Sequence, residues 1–365
     1  MRVKLEDVCE RGTSSLMQKD IVDKNGKYPV YGASGRIGSM ETYQQEHQTV
    51  AVVKDGAGIG RTMLLPEKSS VIGTMQYLIP KNCIEPEYLY YVVKYMHLEK
   101  YFSGATIPHI YFRDYKTEEF NLHDKTEQRE IVSALKRIEA IISNRQEQLA
   151  KLDELIKARF VEMFGDPKLN PYRFLCNSLS TYITFLTSGS RGWSQYFTDS
   201  GEYFITIKNV KNCKITLQDV QYVAPPDNAE AKRTKVQKND LLISITADLG
   251  RTGVVTEEIA NHGAYINQHL TCIRLNDEQV NPLYVAYYME SDAGKEQFTA
   301  KNQSAVKAGL NFNAINSLKL MVPPLSLQNQ FADFVAEVDK SKVEVQKALD
   351  QTQLLFDSLM QQYFG

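Results

Sequence analysis

Apolar residues recur in alternating steps of three and four along two long segments of the chain, residues 124–164 and 326–364. This spacing places apolar side chains in one stripe along a helix, as in a heptad seam. Neither segment contains a proline or a glycine, so nothing interrupts a helix. The pattern therefore predicts two long helices, each roughly 55–60 Å in length at the standard rise per residue.

The predicted seam positions are apolar residues that share this phase. They are Ile131, Leu135, Ile138, Ile142, Leu149, Leu152 and Ile156 in the first segment, and Phe331, Val335, Val338, Val345, Leu349, Phe356 and Leu359 in the second. Arg145 and Arg159 interrupt the first seam, and Lys342 and Thr352 interrupt the second. Polar residues in a seam cost stability but fix register and partner choice.

The second segment repeats the first at an offset of 200 residues, as the pairs Phe164-Gly165 and Phe364-Gly365 show. The repeat extends upstream of the helices. "GATIPHIYF" at 104–112 corresponds to "SAVKAGLNF" at 304–312, and "GRTMLL" at 60–65 resembles "GRTGVV" at 250–255. An internal duplication is therefore predicted for the whole chain.

Each half also contains short runs of strand composition bounded by Gly, Asn, Asp and Pro. These runs are "TVAVV" at 49–53, "QYLI" at 76–79, "YFITI" at 203–207, "DLLISI" at 240–245 and "LTCIRL" at 270–275. Pro86 and Pro282 suit the first position of a helix, where a missing N–H is harmless. The prediction is a mixed α/β (α+β) fold with a partly open β core in each block.

Four segments follow from these patterns. The predicted limits are a first block at 1–123, a long helix at 124–165, a second block at 166–325 and a second long helix at 326–365.

Composition sets the wider bounds. A chain of 365 residues with 43% hydrophobic residues is large enough for two folded domains. No stretch approaches the length of a membrane span, and the start "MRVKLEDVCE" lacks an apolar signal core. The five cysteines are scattered without C-x-x-C, which favours free thiols in a reducing cytoplasm.

No convincing catalytic constellation is present. "DGAGIG" at 55–60 is glycine-rich, but it leads into the strand-like "RTMLL" rather than opening a helix, so a hairpin turn is favoured over a nucleotide loop. The chain has no phosphate-binding P-loop, no nucleophile elbow and no paired metal ligands. These absences argue against a self-contained enzyme.

Polar loops that suit DNA recur in both blocks. Arg and Gln offer paired donors and acceptors to base edges, while Lys, Ser and glycine-exposed backbone suit phosphates. The candidate DNA-binding residues are Arg36, Lys54, Arg61, His109 and Arg113 in the first block, and Ser190, Arg191, Trp193, Ser194, Gln195, Lys208, Asn209, Arg251, Gln268, His269, Lys301, Asn302 and Lys307 in the second. A core role is the alternative for Trp193, because a single Trp packs more often than it stacks on a base.

The charge balance qualifies this interpretation. The formal net charge is −2, and each block holds about 15 basic and 15 acidic residues. A DNA reader of this composition must segregate its cations on one face or borrow positive charge from a partner.

Two α/β blocks, each followed by a long helix, resemble the specificity subunit of type I restriction–modification systems over essentially the whole chain. "LKLMVPPLSLQNQFADFVAEVD" at 318–339 contains the apolar strand, the Pro-Pro-Leu and the Gln328 of that family. "FNLHDKTEQREIVSALKRIE" at 120–139 keeps Gln128 without the Pro-Pro. "SGSRGWSQYF" at 188–197 resembles the opening of a target recognition domain, where the first block has "ERGTSSLMQKD" instead.

The resemblance implies that both blocks are target recognition domains and that the helices pack as an antiparallel coiled coil with pseudo-two-fold symmetry. Residues 2 and 365 should then lie close together. The two domains would read a split, asymmetric target with an unread spacer of about 10 bp between half-sites.

The resemblance also implies partners. They are double-stranded DNA, two methyltransferase subunits that flip an adenine out of the helix, and restriction (motor–nuclease) subunits. S-adenosylmethionine, ATP and Mg would belong to those partners, and this chain would be a non-catalytic, cytoplasmic subunit without cofactor or metal. A coiled-coil adaptor and a self-contained nucleic-acid enzyme remain the alternatives.

Overall fold

A computed structural model describes residues 1–21, 26–104, 108–302 and 309–365. Its strands are β1 (Arg2–Lys4), β2 (Cys9–Thr13), β3 (Tyr28–Gly32), β4 (Gly35–Met40), β5 (Thr49–Val53), β6 (Thr62–Leu65), β7 (Ser70–Val71), β8 (Met75–Pro80), β9 (Glu119–Asn121), β10 (Leu175–Ser178), β11 (Ile183–Ser188), β12 (Phe197–Thr198), β13 (Glu202–Ile205), β14 (Val210–Lys211), β15 (Lys214–Ile215), β16 (Gln221–Val223), β17 (Leu241–Ser244), β18 (Thr252–Val254), β19 (Ala264–Ile266), β20 (Leu270–Leu275) and β21 (Lys319–Val322). The α-helices are α1 (Leu5–Val8), α2 (Pro86–Tyr95), α3 (Phe112–Tyr115), α4 (Lys125–Phe164), α5 (Ala229–Thr234), α6 (Glu257–His262), α7 (Pro282–Glu290), α8 (Asp292–Lys301), α9 (Phe312–Asn316) and α10 (Leu325–Phe364).

The chain divides into two compact units. Unit 1 comprises Met1–Gln148 with Val345–Gly365, and unit 2 comprises Leu149–Glu344. Each unit therefore contains one block, part of α4 and part of α10. The mixed α/β class predicted from the sequence is confirmed.

Unit 1 is built on a four-stranded antiparallel sheet in the order β2-β8-β5-β6. A second sheet has the order β4-β3-β7, with β3 and β7 parallel. Helix α2 lies against β5, β6 and β8, and β1 pairs with β9. The run "TVAVV" forms β5, and all five of its side chains are buried because the strand is central to the sheet.

Unit 2 repeats this arrangement. Its four-stranded antiparallel sheet has the order β11-β20-β17-β18, and its second sheet has the order β12-β16-β13-β19 with β13 and β19 parallel. Helix α7 lies against β17 and β18, as α2 does in unit 1. Unit 2 adds the β14–β15 ribbon, β12 and the helices α5, α6 and α8. The internal duplication is thus visible in the strand order as well as in the sequence.

The two long helices predicted from the heptad pattern are α4 and α10, each with 40 residues. In unit 1, the α4 residues Ile131 and Leu135 share a core with Phe356 and Phe364 of α10. The ring of Phe364 packs edge-on against Tyr88 of α2, with ring centres 5.2 Å apart. The end of α10 therefore completes the core of unit 1.

In unit 2, the end of α4 has the same role. Phe164 is fully buried and packs against Tyr284 of α7 at 4.8 Å between ring centres. Phe160 contacts Phe331 of α10 at 5.3 Å, and Asp153 forms an ion pair with Lys342. Residue numbers rise along α4 as they fall along α10, so the helices are antiparallel within this unit.

The polar seam residues have partners. In unit 1, Arg145 donates a hydrogen bond to Oγ1 of Thr352 at 2.8 Å. In unit 2, the guanidinium of Arg159 lies 5.6 Å from the ring centre of Phe334. Every apolar seam position is buried or half-buried. Arg145 is thus hydrogen-bonded across the helices. Arg159 instead pairs with Glu162 of its own helix, and its buried Nε has no hydrogen-bond partner among the described residues.

A buried glutamine fixes the start of each long helix. In unit 1, Gln128 accepts a hydrogen bond from the backbone N–H of Glu85 at 2.8 Å and donates to the carbonyl of His123 at 2.9 Å. In unit 2, Gln328 accepts from the backbone N–H of Asn281 at 2.9 Å and donates to the carbonyl of Pro323. Each glutamine thus ties a long helix to the residue that precedes α2 or α7.

The two ends of the chain approach each other in unit 1. Arg2 donates a hydrogen bond from Nη1 to the carbonyl of Gly365 at 2.8 Å. The predicted proximity of residues 2 and 365 is confirmed.

Candidate nucleic-acid interface

The glycine-rich loop of unit 1 is a hairpin. β5 and β6 pair antiparallel with Val52 opposite Thr62, and the Gly60 N–H donates to the carbonyl of Val53 at 2.9 Å. Gly60 has a φ of +81°, and a Cβ there would lie 2.5 Å from the backbone nitrogen of Glu99. Only glycine fits this position. The prediction of a hairpin turn is confirmed.

The tip of this hairpin is joined to a second loop of unit 1. The Gly56 N–H donates to the carbonyl of Pro108, and the Ile110 N–H donates to the carbonyl of Lys54, both at 2.9 Å. These bonds place the side chains of Asp55 and His109 side by side, with Oδ1 and Nδ1 2.7 Å apart. Two loops that are distant in sequence thus form one surface.

Cations surround this surface. Lys54 Nζ lies 2.9 Å from Oδ2 of Asp55, and Arg61 donates to the carbonyl of Ala33 at 2.8 Å. The guanidinium of Arg113 lies 4.7 Å from the ring centre of Tyr111.

We name Lys54, Asp55, Arg61, His109 and Arg113 the unit 1 loop cluster. Arg36 is exposed on β4, in the hairpin whose turn contains Ala33. The structure therefore brings most of the predicted residues of unit 1 together. Asp55 was missed because an isolated carboxylate is not a signal for DNA binding.

In unit 2, the loop after β11 is pinned to the turn before β20. The Ser190 N–H donates to the carbonyl of Ile266 at 2.9 Å, and the Gln268 N–H donates to the carbonyl of Ser190 at 3.0 Å. A Cβ on Gly189 would lie 2.1 Å from the carbonyl oxygen of Asn267, so the two backbones approach as closely as glycine allows. This contact leaves Arg191 exposed at the loop tip.

Three predicted contact residues of unit 2 are placed in its interior. Trp193 is only 3% exposed, and its ring packs between Phe204 and Tyr265. Asn209 accepts from the Thr206 N–H at 3.0 Å and is buried under the turn that it fixes. Ser190 is buried as well. The structure supports the core role for Trp193 and assigns these side chains to loop support, because groups so deeply buried are shielded from a docked DNA helix.

The hairpin between β17 and β18 in unit 2 corresponds to the β5–β6 hairpin of unit 1. The Leu310 N–H donates to the carbonyl of Ile245 at 2.9 Å, as Ile110 does to Lys54 in unit 1. Thr246 Oγ1 lies 2.7 Å from Nδ1 of His269. Gly250 has a φ of +80° and faces the ring of Phe298, and Arg251 donates to Asp248.

The remaining predicted residues of unit 2 lie around this hairpin or in other exposed loops. Asn302 accepts from the Gly309 N–H at 3.3 Å, and Lys301 donates to Oγ of Ser317 at 2.8 Å. Ser194, Gln195 and Lys208 are exposed. Lys307 lies outside the described residues. Gln268 and His269 are neighbours, with their Nε2 atoms 3.3 Å apart.

Comparison with known proteins gives the family. Residues 1–154 and 193–352 match the family described as "Type I restriction modification DNA specificity domain". The chain belongs to this family. The resemblance inferred from the sequence is confirmed: the chain carries the DNA-specificity domain of this family.

A curated relative agrees with the assignment of the chain to this family. The specificity subunit of the EcoBI type I restriction enzyme from Escherichia coli is 21% identical over 170 residues, which is 45% of this chain and 35% of that subunit. The match thus spans about a third of this curated relative.

Two solved structures share the fold of this specificity-family chain. The S subunit of a type I restriction–modification system from M. genitalium has a TM-score of 0.61 at 16% identity, covering 100% of this chain and 96% of that one. A second structure, which describes complex assembly and conformational transition of the type I R-M system, contains a chain with a TM-score of 0.58 at 15% identity. The match covers 100% of this chain and 97% of that one.

Features that could support other chemistry are few in this specificity-family chain. No group of three His, Cys, Asp or Glu residues suited to a metal ion occurs within the described ranges. No helix in the described part of the chain is long and apolar enough to cross a membrane. Burial raises the pKa of the Cys9 thiol to about 12 and raises the pKa values of Cys213 and Cys272 as well. These three thiols are therefore protonated at neutral pH and poor nucleophiles.

Proposed function

We propose that this chain is the DNA-specificity subunit of a type I restriction–modification complex and reads a split, asymmetric target through its two units. The observation that carries the proposal is the repeated loop framework. Each unit builds the same sheet order and the same hairpin, but fills the loops with different side chains. Similar frameworks with different loops suit two half-sites of different sequence.

The proposed contact residues are the exposed or half-buried polar members of these loops. They are Arg36, Lys54, Arg61, His109 and Arg113 in unit 1, and Arg191, Ser194, Gln195, Lys208, Arg251, Gln268, His269, Lys301 and Asn302 in unit 2. In this proposal the lysines contact phosphates, and the arginine, glutamine and asparagine side chains contact base edges. Because the net charge of the chain is −2, this proposal requires the cations to lie on one face or the partner subunits to supply positive charge.

The partners in this proposal are two methyltransferase subunits and restriction (motor–nuclease) subunits, assembled on the paired long helices. S-adenosylmethionine, ATP and Mg bind those partners, and the complex works in the cytoplasm. The segments 1–123 and 166–325 act as target recognition domains, and 124–165 and 326–365 act as spacer helices. An inverted, pseudo-two-fold arrangement with a fixed spacer of about 10 bp is part of this proposal, and the internal repeat of the sequence supports it.

Methylation mapping tests this proposal. The chain is expressed with the methyltransferase of its own host, and methylated adenines are located by sequencing. We expect one asymmetric motif made of two short half-sites. The absence of any split motif would contradict the proposed function and favour the adaptor alternative.

Arg191 provides the sharper version of this test. Arg191→Ala removes an exposed guanidinium at a loop tip of unit 2. Loss of a bidentate base contact costs about 1–3 kcal/mol, so one half-site should relax and the other should not change. Lys211→Ala is the matched control, because Lys211 is an exposed cation of the same unit outside the proposed contacts. Equal loss on every sequence would identify Arg191 as a phosphate contact.

A further inference from the structure

Asp55 is an unusual residue for a surface proposed to face DNA. A carboxylate near phosphates is repelled by them unless its charge is offset. Here Asp55 has two partners, Lys54 Nζ at 2.9 Å from Oδ2 and His109 Nδ1 at 2.7 Å from Oδ1. Its side chain is about a quarter exposed. The carboxylate is therefore engaged within the loop cluster.

The contact with Asp55 fixes the orientation of the His109 ring. An ionised carboxylate can only accept a hydrogen bond, so Nδ1 of His109 carries a proton and donates it. The backbone bonds from Gly56 to Pro108 and from Ile110 to Lys54 hold both residues from either side. The contacts thus set the direction of the ring, and the proton is assigned to Nδ1 from its carboxylate partner.

The other ring nitrogen of His109, Nε2, decides what the ring can bind. Within residues 1–21, 26–104, 108–302 and 309–365, no group hydrogen-bonds to Nε2 of His109. The side chain is 35% exposed, and its ring lies nearly parallel to that of Tyr111. In the neutral ring with Nδ1 protonated, Nε2 presents a lone pair to solvent.

Unit 2 uses the corresponding position differently. Thr246, at the same place in the β17–β18 hairpin, holds Nδ1 of His269 at 2.7 Å. There Nε2 lies 3.3 Å from the side-chain amide of Gln268. Both units therefore orient an imidazole through a hairpin oxygen, but only in unit 1 is the second nitrogen left unengaged by the described residues.

We propose that His109 is a specificity-determining residue that reads one base of the unit 1 half-site through Nε2, and that Asp55 is the residue that positions it. This assignment rests on the proposed function. The acceptor Nε2 suits an exocyclic amino group in the major groove, which adenine and cytosine provide. Lys54 keeps the charge of Asp55 from opposing the approach of phosphates.

The alternative is a solvent-exposed ion pair without a role in recognition, and such pairs contribute little to stability. The two roles differ in what they predict for base preference. A positioning residue changes the preference at one base, whereas a surface ion pair changes none.

The experiment uses the full chain co-expressed with its methyltransferase and maps methylated motifs on a plasmid library. The variants are His109→Ala, Asp55→Ala and Asp55→Asn, with His47→Ala as the control, because His47 is an exposed histidine of the same unit outside the cluster. Asp55→Asn keeps an oxygen that accepts from Nδ1–H, so it separates positioning from charge.

We expect His109→Ala and Asp55→Ala to lower discrimination at the same single base position by about five- to tenfold, the equivalent of one hydrogen bond. Asp55→Asn and His47→Ala should retain the motif. The half-site read by unit 2 should stay intact in all variants, which shows that the protein is folded.

Two results would overturn the assignment. One is an unchanged motif with His109→Ala, and the other is relaxation at different positions by His109→Ala and Asp55→Ala. A wild-type complex without any split motif would overturn the proposed function and this assignment together. A wild-type split motif with an insensitive His109 would overturn this assignment alone.

Discussion

In unit 1 the hairpin between β5 and β6 places Asp55 against His109, whereas in unit 2 the corresponding hairpin places Thr246 against His269. The strand order beneath these hairpins is the same in both units. The hairpin partner of the histidine is a carboxylate in unit 1 and a hydroxyl in unit 2, although the two backbones are held by equivalent hydrogen bonds. The comparison teaches that the framework sets where side chains lie, and the loops set what they can recognise.

The framework is shared down to single side chains. Tyr88 in unit 1 donates its hydroxyl to the carbonyl of Asn121, and Tyr284 in unit 2 donates to the carbonyl of Met321. Burial raises the pKa of both tyrosines, so both hydroxyls keep their protons at physiological pH. Each tyrosine therefore ties its helix, α2 or α7, to a strand or segment at the end of the same unit's block.

The largest expected effect comes from the two phenylalanines that close the cores. Phe364→Ala should destabilise unit 1, and Phe164→Ala should destabilise unit 2, by about 3–5 kcal/mol each, because both rings are fully buried. Hydrogen exchange should accelerate in α2 for the first variant and in α7 for the second. Leu354→Ala is the control, since Leu354 is 70% exposed on the same helix as Phe364.

An equal effect of either variant on both units would contradict this prediction. It would mean that the units unfold as one body and that the comparison between them does not extend to stability. A small effect confined to one unit would show that its core closes differently.

The fold was largely predictable from the sequence because its longest signals are periodic. A heptad phase sustained over 40 residues fixes α4 and α10, and "TVAVV" and "LTCIRL" match β5 and β20 residue for residue. Short strands such as β12 and β14 have two residues each and carry no periodicity. Their pairing depends on neighbours that are distant in sequence.

The site was less predictable, and the reasons are physical. Residue type suggested Trp193 and Asn209 as contacts, but burial depends on packing that no local pattern shows. The pair Asp55 and His109 is separated by 54 residues and forms only when two loops meet. The sequence showed Arg145 and Thr352 as separate interruptions of the two seams, but it did not show that they are hydrogen-bonded to each other.

A smaller effect is expected at the buried glutamines. Gln128→Leu leaves the Glu85 N–H and the carbonyls of Cys83 and His123 without their partner. Gln328→Leu leaves the Asn281 N–H and the Pro323 carbonyl without their hydrogen-bond partner. Unsatisfied buried groups cost about 1–3 kcal/mol, so both variants should lower the free energy of unfolding, with Gln128→Leu the more damaging.

Denaturant titration followed by hydrogen exchange measures this difference. Gln330→Leu, at an exposed position two residues along α10, is the control and should change little. Wild-type stability in both buried variants would show that water replaces the amide and that the glutamines are not a structural requirement of the framework.

The smallest expected effect on stability comes from an ion pair that is present in unit 1 and replaced by a neutral hydrogen bond in unit 2. Glu85, the residue before α2, accepts a hydrogen bond from Arg129 of α4 at 3.1 Å and lies 3.3 Å from Nζ of Lys125 at the start of α4. At the same place unit 2 has a neutral hydrogen bond between Asn281 and Asn329 at 2.9 Å. Burial alone would raise the pKa of Glu85, but the hydrogen bonds and charges of its two cations outweigh burial and lower it.

A lowered folded-state pKa gives a definite sign. The stabilisation is complete above the ordinary glutamate pKa of about 4.3 and is lost as the pH falls through the folded-state value. Glu85→Gln should therefore destabilise unit 1 by up to about 1 kcal/mol at pH 7, and the difference from wild type should vanish in acid. Asn329→Ala in unit 2 removes a neutral bond, so its smaller loss should be the same at both pH values. Hydrogen exchange at the start of α4 and of α10, measured at pH 7 and at the acidic limit of folding, follows the two sites separately. An effect of Glu85→Gln that persists in acid would mean that packing, and not the ion pair, distinguishes the two units at this position.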